Sequence, residues 1–398
     1  EFNYNQGAEY LLFPKDKATY SATLTIKAGQ TKSDDMEIKI DGSTLGFGSG
    51  YLIPLRAAAQ EGSEVTVDRK NNRVNYVVMR QNPRTIKNVV YLEVNDCNPL
   101  NALEYVLADG TPFFDAVILF AANINYNSTE DRVYLHNNPN VQALLDESDV
   151  YIQPLRKKGI KVYLGLLGNH DAAGLCQLSD WGCHEWAKEV AQAVKDYKLD
   201  GVNLDDEYSG GIIPGNPWFT NHGARPGSQL MLELKLAMKE ACYWPTEVSY
   251  FEWGGLYNAT NANAWNPDVD QKGGNASGQE YTPGQFVDFF VANYGSASYP
   301  YADVTKDKCS GASIQCNYGA SMTESHARQI KADGFGWCMW FAFDPSGTGG
   351  IPSNLQGSFN AMSAAAKGFY DQELQRPTGV YNKIGEGQYD PERHDLKF

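Results

Sequence analysis

The first 84 residues alternate between apolar and polar positions with a period of two. Apolar residues stand at 22, 24 and 26 and again at 36, 38 and 40, with polar residues between them. This alternation is typical of β-strands that have one face in water. Residues 65–68 and 74–78, joined through 69–72, have the pattern of a hairpin. We therefore predict a small all-β, sandwich-like domain over residues 1–84.

A polar segment that contains a proline, residues 81–85, ends this alternation. A proline among polar residues is typical of a boundary between domains. After residue 376 another proline begins a tail with little apolar periodicity, which is either an ordered strap or a loose end. We predict a second domain over residues 85–370 and a carboxy-terminal tail over residues 371–398.

Between these limits the apolar positions form continuous runs rather than alternating ones. Continuous runs indicate strands that are buried on both faces, as in a parallel sheet covered by helices. Eight such runs repeat along the chain, with helical patterns between most of them: 88–94, 114–122, 161–167, 201–206, 247–251, 286–292, 313–318 and 335–343. Eight repeats of strand and helix predict an α/β fold, the (β/α)8 TIM barrel.

The helix that follows the third strand supports this assignment. Trp186, Val190, Ala193, Val194 and Tyr197 lie on one stripe of that helix, while charged residues lie mostly elsewhere. The sixth repeat is different, because residues 294–311 show no convincing helical pattern. We expect the barrel to be irregular around this repeat.

The fourth strand ends in three alternating polar residues, Asn203, Asp205 and Glu207. Side chains alternate along a strand, so these three project to one side and Val202 and Leu204 to the other. In TIM barrels the carboxyl ends of the strands carry the catalytic groups. Two acids so close cannot both ionise freely, so the pKa of one rises and that group can act as a general acid. The alternative is that these acids only solvate the end of a strand.

Composition excludes several classes of partner. Acidic residues outnumber basic ones, 48 against 33, and a net charge of −15 disfavours nucleic acid and anionic membrane surfaces. No stretch approaches the roughly 20 apolar residues of a transmembrane helix. We expect a monomer that is secreted, periplasmic or at the cell surface, in a mature form that has lost its signal peptide.

The seven cysteines give no C-x-x-C pair, so we expect neither a bound metal nor a cofactor. Cys176 and Cys183 lie seven residues apart, as do Cys309 and Cys316. Each pair either closes a short disulfide or consists of two buried thiols.

Two segments resemble glycoside hydrolase family 18. Residues 200–207, DGVNLDDE, are similar to the D-G-x-D-x-D-x-E signature of that family, which contains chitinases and endo-β-N-acetylglucosaminidases. Residues 166–174, LLGNHDAAG, resemble the L-G-N-H-x-x-A-G stretch of its endoglycosidase-H-like branch, and Asp205-Asp206-Glu207-Tyr208 also resembles that branch. The resemblance covers residues 88–345. More weakly, the amino-terminal segment resembles an accessory domain found ahead of such barrels.

The family resemblance implies substrate-assisted retention, in which the 2-acetamido oxygen of the sugar attacks the anomeric carbon. Glu207 is then the acid and later the base, and Asp205 orients the acetamide. Asn203 stands where the family has an aspartate. We expect its amide to donate a hydrogen bond to Asp205 and activity to survive with a shifted pH profile.

Further residues are candidates for binding the substrate. Tyr294 matches the place where the family offers a tyrosine hydroxyl to the acetamido group, with core packing as the alternative. Asn169 and His170 are candidates to line the site, and Tyr208 lies next to the acid. Aromatic residues near strand ends are candidates for stacking on sugar rings or for core packing: Tyr250, Trp253, Tyr257, Trp337 and Trp340.

The leading hypothesis is hydrolysis of the GlcNAc-β1,4-GlcNAc core of N-linked glycans. The runner-up is hydrolysis of chito-oligosaccharides by the same mechanism. A non-catalytic glycan-binding barrel is the third hypothesis, because fold alone does not fix function.

Overall fold

The computed structural model describes residues 10–45, 50–79, 84–257, 263–265, 269, 271–350 and 353–398. The chain divides into two units, Glu1–Pro83 and Arg84–Phe398. The domain limits given above stay a prediction, and each unit is described by itself.

The described part of the first unit contains five short strands: β1 (Leu11–Leu12), β2 (Ala18–Tyr20), β3 (Ile38–Ile40), β4 (Gly50–Arg56) and β5 (Arg73–Met79). One sheet has the order β1-β4-β5, and β2 pairs with β3 in a second, antiparallel sheet. Phe13, Leu45 and Ile53 form its small buried core. The predicted all-β character is confirmed.

The strand pairing in this unit differs from the predicted hairpin. β5 pairs along its whole length with β4, from Gly50 opposite Met79 to Arg56 opposite Arg73, and residues 65–68 form no strand. Leu24 and Ile26 also lie outside strands and are 53% and 60% exposed. Alternation indicates which residues share a face, but it does not identify the partner strand.

The second unit contains the predicted barrel of eight parallel strands. Its strands, with the short pairs attached to them, are β6 (Lys87–Glu93), β7 (Ala116–Asn127), β8 (Arg132–His136), β9 (Lys161–Leu167), β10 (Gly201–Asp205), β11 (Glu247–Phe251), β12 (Ala264–Trp265), β13 (Glu280–Tyr281), β14 (Phe289–Val291), β15 (Ser310–Gln315) and β16 (Trp337–Phe341). The order around the barrel is β14-β11-β10-β9-β7-β6-β16-β15. A parallel bridge between Phe290 and Cys309 links its two ends. β8 forms an antiparallel hairpin with β7 outside this ring.

The helices of the outer layer are α1 (Pro139–Asp146), α2 (Ser148–Tyr151), α3 (Gln153–Lys157), α4 (Asp180–Asp196), α5 (Ala224–Ala241), α6 (Pro283–Phe286), α7 (Glu324–Ala332) and α8 (Leu355–Tyr370). In α4, which begins after the N-cap Ser179, Trp186, Val190 and Val194 are fully buried, as the stripe predicts. Between β14 and β15 the described chain forms only a 3₁₀ turn, Lys306–Lys308. The irregular sixth repeat is therefore confirmed, and the fifth connection is irregular too, with the four-residue α6 as its helix.

Large side chains fill the barrel interior beneath the carboxyl ends of the strands. They include Tyr91, Tyr163, Phe251, Phe289, Trp337 and Met339. The rings of Phe289 and Trp337 stack with their centroids 3.8 Å apart. This apolar layer forms a floor, so a site at the barrel mouth has a rigid base.

The tail is an ordered strap on the barrel. Its strands are β17 (Gly379–Val380), β18 (Lys383–Gly385), β19 (Gln388–Tyr389) and β20 (His394–Asp395). The side-chain amide of Asn98 donates to the carbonyl of Asp390 at 2.9 Å, and that of Asn101 donates to the carbonyl of Tyr381 at 2.9 Å. Two buried asparagines thus hold the tail against the barrel.

All seven cysteines lie within the described ranges, and each is a free thiol. Cys176, Cys183, Cys309 and Cys316 are buried, which selects the second of the two alternatives for these pairs. Among the described helices, none is long and apolar enough to span a bilayer.

Candidate active site

The end of β10 separates its side chains as the alternation predicts. Val202 and Leu204 are fully buried in the layer between sheet and helices, while Asp205 lines a cavity at the barrel mouth. Asp206 points away from that cavity: its Oδ2 lies 2.7 Å from Nε2 of His222 and accepts the backbone N–H of Gly255 at 2.7 Å. Strand alternation therefore assigns consecutive acids to opposite sides of the sheet.

The cavity at the barrel mouth has a volume of about 530 Å³, within the range of roughly 300–1,000 Å³ typical of small-molecule sites. Its wall combines acids with many aromatic rings: Tyr91, Glu93, Phe120, Leu167, Asp205, Glu207, Tyr208, Phe251, Trp253, Asn293, Tyr294, Met339 and Phe341. Apolar ring faces beside a few polar groups are suited to binding a sugar, which has both C–H and O–H surfaces.

The two predicted catalytic acids both have raised pKa values. Burial is the main cause that raises the pKa of Asp205 well above its usual range, and neighbouring acids, Glu207 first, add to the rise. Burial also raises the pKa of Glu207, and the charge of Asp206 is the second cause. The sequence predicts one raised pKa in this pair, whereas the structure shows two, because both groups are withdrawn from water.

Asn203 does not have the partner that we expected. Its amide donates to Oγ of Ser249 at 3.0 Å and not to Asp205. Its side chain is fully buried, outside the cavity wall, and its Oδ1 is without a hydrogen-bond partner in the described chain. Because Ser249 lies directly opposite Asn203 in the register of β10 and β11, it competes successfully for the amide.

The segment with the L-G-N-H motif packs against the segment that carries the acid. A Cβ on Gly168 would lie 2.3 Å from the carbonyl oxygen of Glu207, so only glycine permits this approach. The backbone N–H of His170 donates to the carbonyl of Tyr208 at 2.6 Å. His170 and Tyr208 both have left-handed φ angles, 61° and 58°. Such conformations in non-glycine residues cluster at functional sites.

Asn169 and His170 lie beside the cavity and not in its wall. Both are exposed, and the amide of Asn169 donates to Oδ1 of Asn125 at 3.1 Å. The His170 ring contacts the ring of Tyr208, with centroids 5.1 Å apart. His170 therefore positions Tyr208, which is 53% exposed and lines the cavity.

Tyr294 lies in the cavity wall at the predicted place. Its ring packs between Phe251 and Phe341, with centroid distances of 5.9 and 5.2 Å, and the residue is 40% exposed. Burial, followed by the charge of Asp205, raises its pKa. The hydroxyl therefore stays protonated and can donate a hydrogen bond to a ligand.

Tyr250 and Trp340, two predicted stacking residues, are not in the site. Tyr250 is fully buried against Phe290, and its hydroxyl lies 2.9 Å from that of Tyr301. Trp340 is fully buried, and its indole N–H donates to Oδ1 of Asn88 at 3.0 Å. Both prefer the layer between sheet and helices because their neighbours on the strand, Phe251 and Phe341, point into the barrel.

Sequence reasoning missed Glu93, which ends β6 and lines the cavity. Burial, followed by the charge of Asp96, raises the pKa of Glu93 to about 7. The charge of Glu93 also contributes to the raised pKa of Asp205. The sequence contained a signal for Glu93, because it is an acid at the last position of an apolar strand. Asp205 occupies the same position on β10.

A second cavity, of about 490 Å³, also borders Glu207. Its wall contains Gln177, Asp206, Glu207, Tyr208, Ser209, Gly210, His222 and Trp253. Glu207, Tyr208 and Trp253 line both cavities. The acid is therefore accessible from two adjoining binding spaces.

Residues 1–64 match a family model whose description reads "-like, N-terminal domain". The chain also resembles known enzymes over most of its length. Endo-β-N-acetylglucosaminidase F1 of Elizabethkingia meningoseptica is 35% identical over 303 residues, which cover 75% of this chain and 82% of that protein. An endo-β-N-acetylglucosaminidase of Flavobacterium sp. (strain SK1022) is 33% identical over 264 residues, 64% of this chain and 74% of that protein.

The structure is similar to EndoBT-3987 of Bacteroides thetaiotamicron, solved with a Man5GlcNAc product, at 34% identity and a TM-score of 0.70. The match covers 99% of this chain and 87% of that one. The same enzyme was also solved with a Man9GlcNAc2Asn substrate. Sequence identity over most of the chain, shared architecture and the paired acids Asp205 and Glu207 at the end of β10 lead to one conclusion: the chain belongs to the endo-β-N-acetylglucosaminidases of glycoside hydrolase family 18.

Proposed function

We propose that this protein hydrolyses the β1,4 bond between the two core GlcNAc residues of N-linked glycans. One observation carries the proposal: Glu207 lies in the wall shared by two cavities. An acid that protonates a glycosidic oxygen within a glycan needs sugar on both sides of that oxygen. The substrate named with EndoBT-3987, Man9GlcNAc2Asn, contains such a linkage between its two GlcNAc units.

In this proposal the acids of β10 divide the chemistry between them. Glu207 is half-buried and has a raised pKa, so it keeps a proton that it can donate to the leaving oxygen. Asp205 is deeper, next to the first cavity, and orients the acetamido group of the sugar. The hydroxyl of Tyr294 donates to the same group. The acetamido oxygen then attacks the anomeric carbon, so no residue of the protein forms a covalent bond to the sugar.

We propose that the enzyme acts as a monomer. Light scattering at the concentration used for assays tests this, and an activity that appears only with a dimer would contradict it.

Two substrates distinguish the proposed reaction from its alternatives. The protein is incubated with a high-mannose glycoprotein and, separately, with chito-oligosaccharides. Release of glycan from the glycoprotein, with one GlcNAc left on asparagine, supports the proposal. Cleavage only of chito-oligosaccharides would make the protein a chitinase, and binding of glycan without turnover would make it a glycan-binding barrel.

A further inference from the structure

Three side chains outside the catalytic cavity converge on one point. Cys176 follows β9, Asp206 follows β10, and His222 lies just before α5. The sulfur of Cys176, a carboxylate oxygen of Asp206 and a ring nitrogen of His222 all lie within 4.8 Å of one another. Three different loops therefore bring together a thiol, a carboxylate and an imidazole.

Backbone hydrogen bonds hold these loops in place. The N–H of Gly223 donates to the carbonyl of Cys176 at 2.9 Å, which ties the histidine loop to the cysteine loop. The N–H of Gly255 donates to Oδ2 of Asp206 at 2.7 Å. A Cβ on Gly255 would lie 2.8 Å from the sulfur of Cys176, so the backbone passes directly over this side chain. The three groups are thus fixed relative to one another before any ligand arrives.

The carboxylate of Asp206 has an unused oxygen. Its side chain is 1% exposed, and Oδ2 already contacts His222 and Gly255. Oδ1 is buried and accepts no N–H or O–H hydrogen bond from the described residues, and the weak S–H donor of Cys176 is a further hydrogen-bonding neighbour of this carboxylate. A buried carboxylate oxygen without a donor is unfavourable by about 1–3 kcal/mol or more, so such atoms call for an explanation. A bound cation would supply the missing partner.

Access to the cluster is from the second cavity. Asp206 and His222 both line that cavity, and the side chain of His222 is 47% exposed. A hydrated ion can therefore reach the imidazole first and then the buried carboxylate and thiol. Water in the cavity can complete its coordination.

We propose that Cys176, Asp206 and His222 form a binding site for Zn²⁺. Thiolate, imidazole and carboxylate are the ligands that zinc takes in proteins, with three protein ligands and a water in open sites. Bonds of about 2.0–2.3 Å hold tetrahedral ligand atoms roughly 3.3–3.6 Å apart. Nε2 of His222 and Oδ2 of Asp206, which are 2.7 Å apart, therefore separate slightly when the ion enters between them, and the ligand atoms, all within 4.8 Å of one another, need only a small movement. On binding, the thiol gives its proton to the buffer, and the carboxylate and the neutral imidazole contribute lone pairs.

The competing interpretation is purely structural: a His222–Asp206 pair that positions the end of β10, with Cys176 as an inert buried thiol. The two interpretations differ in one measurable property, which is affinity for a thiolate-binding metal. The proposal goes beyond the hydrolysis proposed above, which uses no metal. The test measures metal binding and not hydrolysis. A negative result for the zinc site therefore does not contradict the proposed hydrolysis, and absence of hydrolysis does not contradict the zinc site.

The test uses Co²⁺ as a spectroscopic probe for the zinc site. The full-length protein is treated with a chelator, freed of it, and titrated with Co²⁺. We expect one equivalent to produce a thiolate-to-cobalt charge-transfer band and the visible bands of tetrahedral cobalt, and Zn²⁺ to abolish both. Cys176→Ser should remove the charge-transfer band. Asp206→Asn and His222→Gln should weaken binding by more than the roughly 10–100-fold typical of losing a residue that only supports a ligand.

Matched variants elsewhere on the chain control for general effects. Cys242→Ser changes the half-buried cysteine at the end of α5, and His326→Gln changes an exposed histidine of α7. Both should bind Co²⁺ like the unchanged protein. Absence of a thiolate band in the unchanged, folded protein would overturn the proposal, whatever the variants do. A band that persists in Cys176→Ser would overturn it too.

Discussion

At the scale of single residues, Glu207 combines the two properties that a general acid needs. It is half-buried, so its pKa is raised, and it borders two cavities, so its proton can reach a bound sugar. Glu207→Gln removes the proton but keeps the shape. We expect kcat to fall by about 10²–10⁴-fold while sugar affinity and the thermal midpoint change little. Glycan release is measured beside Glu240→Gln, an exposed control on α5. Undiminished turnover in Glu207→Gln would contradict the assignment.

Glu93 should shift the acidic limb of the pH profile, although burial and the acids Glu207 and Asp206 affect the pKa of Asp205 more strongly. Its negative charge disfavours the charged form of Asp205 and so raises the pKa of Asp205. Glu93→Gln removes this charge, the pKa of Asp205 falls, and Asp205 becomes ionised at lower pH. We expect the acidic limb of kcat/KM to move to lower pH in this variant, with the largest effect above about pH 7, where Glu93 itself is ionised. A limb that stays in place would show that Glu93 does not act on Asp205.

The hydroxyl of Tyr294 can be tested without disturbing its packing. Tyr294→Phe keeps the ring between Phe251 and Phe341 and removes only the donor. In the transition state the acetamido group becomes charged, and a hydroxyl that donates a hydrogen bond to it stabilises it by about 1.5–3 kcal/mol. Tyr294→Phe loses this stabilisation. That corresponds to a fall of roughly 10–100-fold in kcat, with little change in KM. A change confined to KM would assign the hydroxyl to binding alone.

Much of the site could be predicted from one rule, the alternation along a strand. It placed Asp205 and Glu207 together, and applied to β6 it would also have found Glu93. Applied to β11 and β16, the same rule would have excluded Tyr250 and Trp340 from the cavity. Their neighbours Phe251 and Phe341 point into the barrel, so Tyr250 and Trp340 must point out of it. The partner of Asn203 could not be predicted in this way, since it depends on the register between two strands.

At the scale of elements, α4 shows how strongly a helix depends on its buried stripe. Trp186 is fully buried between helix and sheet. Trp186→Ala leaves a large cavity, and we expect it to lower the free energy of unfolding by about 3–5 kcal/mol. Lys188→Ala, which breaks only a surface ion pair of 2.8 Å with Glu185, should change it by less than about 1 kcal/mol. Urea unfolding followed by circular dichroism measures both. Equal losses of unfolding free energy in Trp186→Ala and Lys188→Ala would contradict the packing of this helix.

The barrel strands were predictable because both faces of each strand are buried, which leaves a continuous apolar run. The connections were not equally predictable. The connection between β8 and β9 contains three short helices, α1, α2 and α3, interrupted where Glu147 and Ile152 act as caps. In the first unit, the pairing of β5 with β4 joins residues far apart in sequence, and local alternation contains no information about such a choice.

At the scale of the whole molecule, both cavities belong to the second unit. The described residues in their walls all lie between Tyr91 and Phe341, within Arg84–Phe398. The polar, proline-containing segment at 81–85 indicated a boundary in this region from sequence. Arg84 belongs with the barrel, because its guanidinium forms an ion pair of 3.0 Å with Asp115 and donates to the carbonyl of Pro112 at 2.6 Å.

A shortened chain that begins at Arg84 should therefore keep its catalytic activity. We expect residues 84–398 to release glycan from a small glycopeptide with the same kcat/KM as the whole protein, since the cavity walls are unchanged. A chain that begins at Lys87 is the matched control: it loses Arg84 and its bonds to the loop before β7, so its thermal midpoint should be lower. Calorimetry and glycan release are measured on both. A barrel from Arg84 that is folded but inactive would show that the first unit contributes to catalysis.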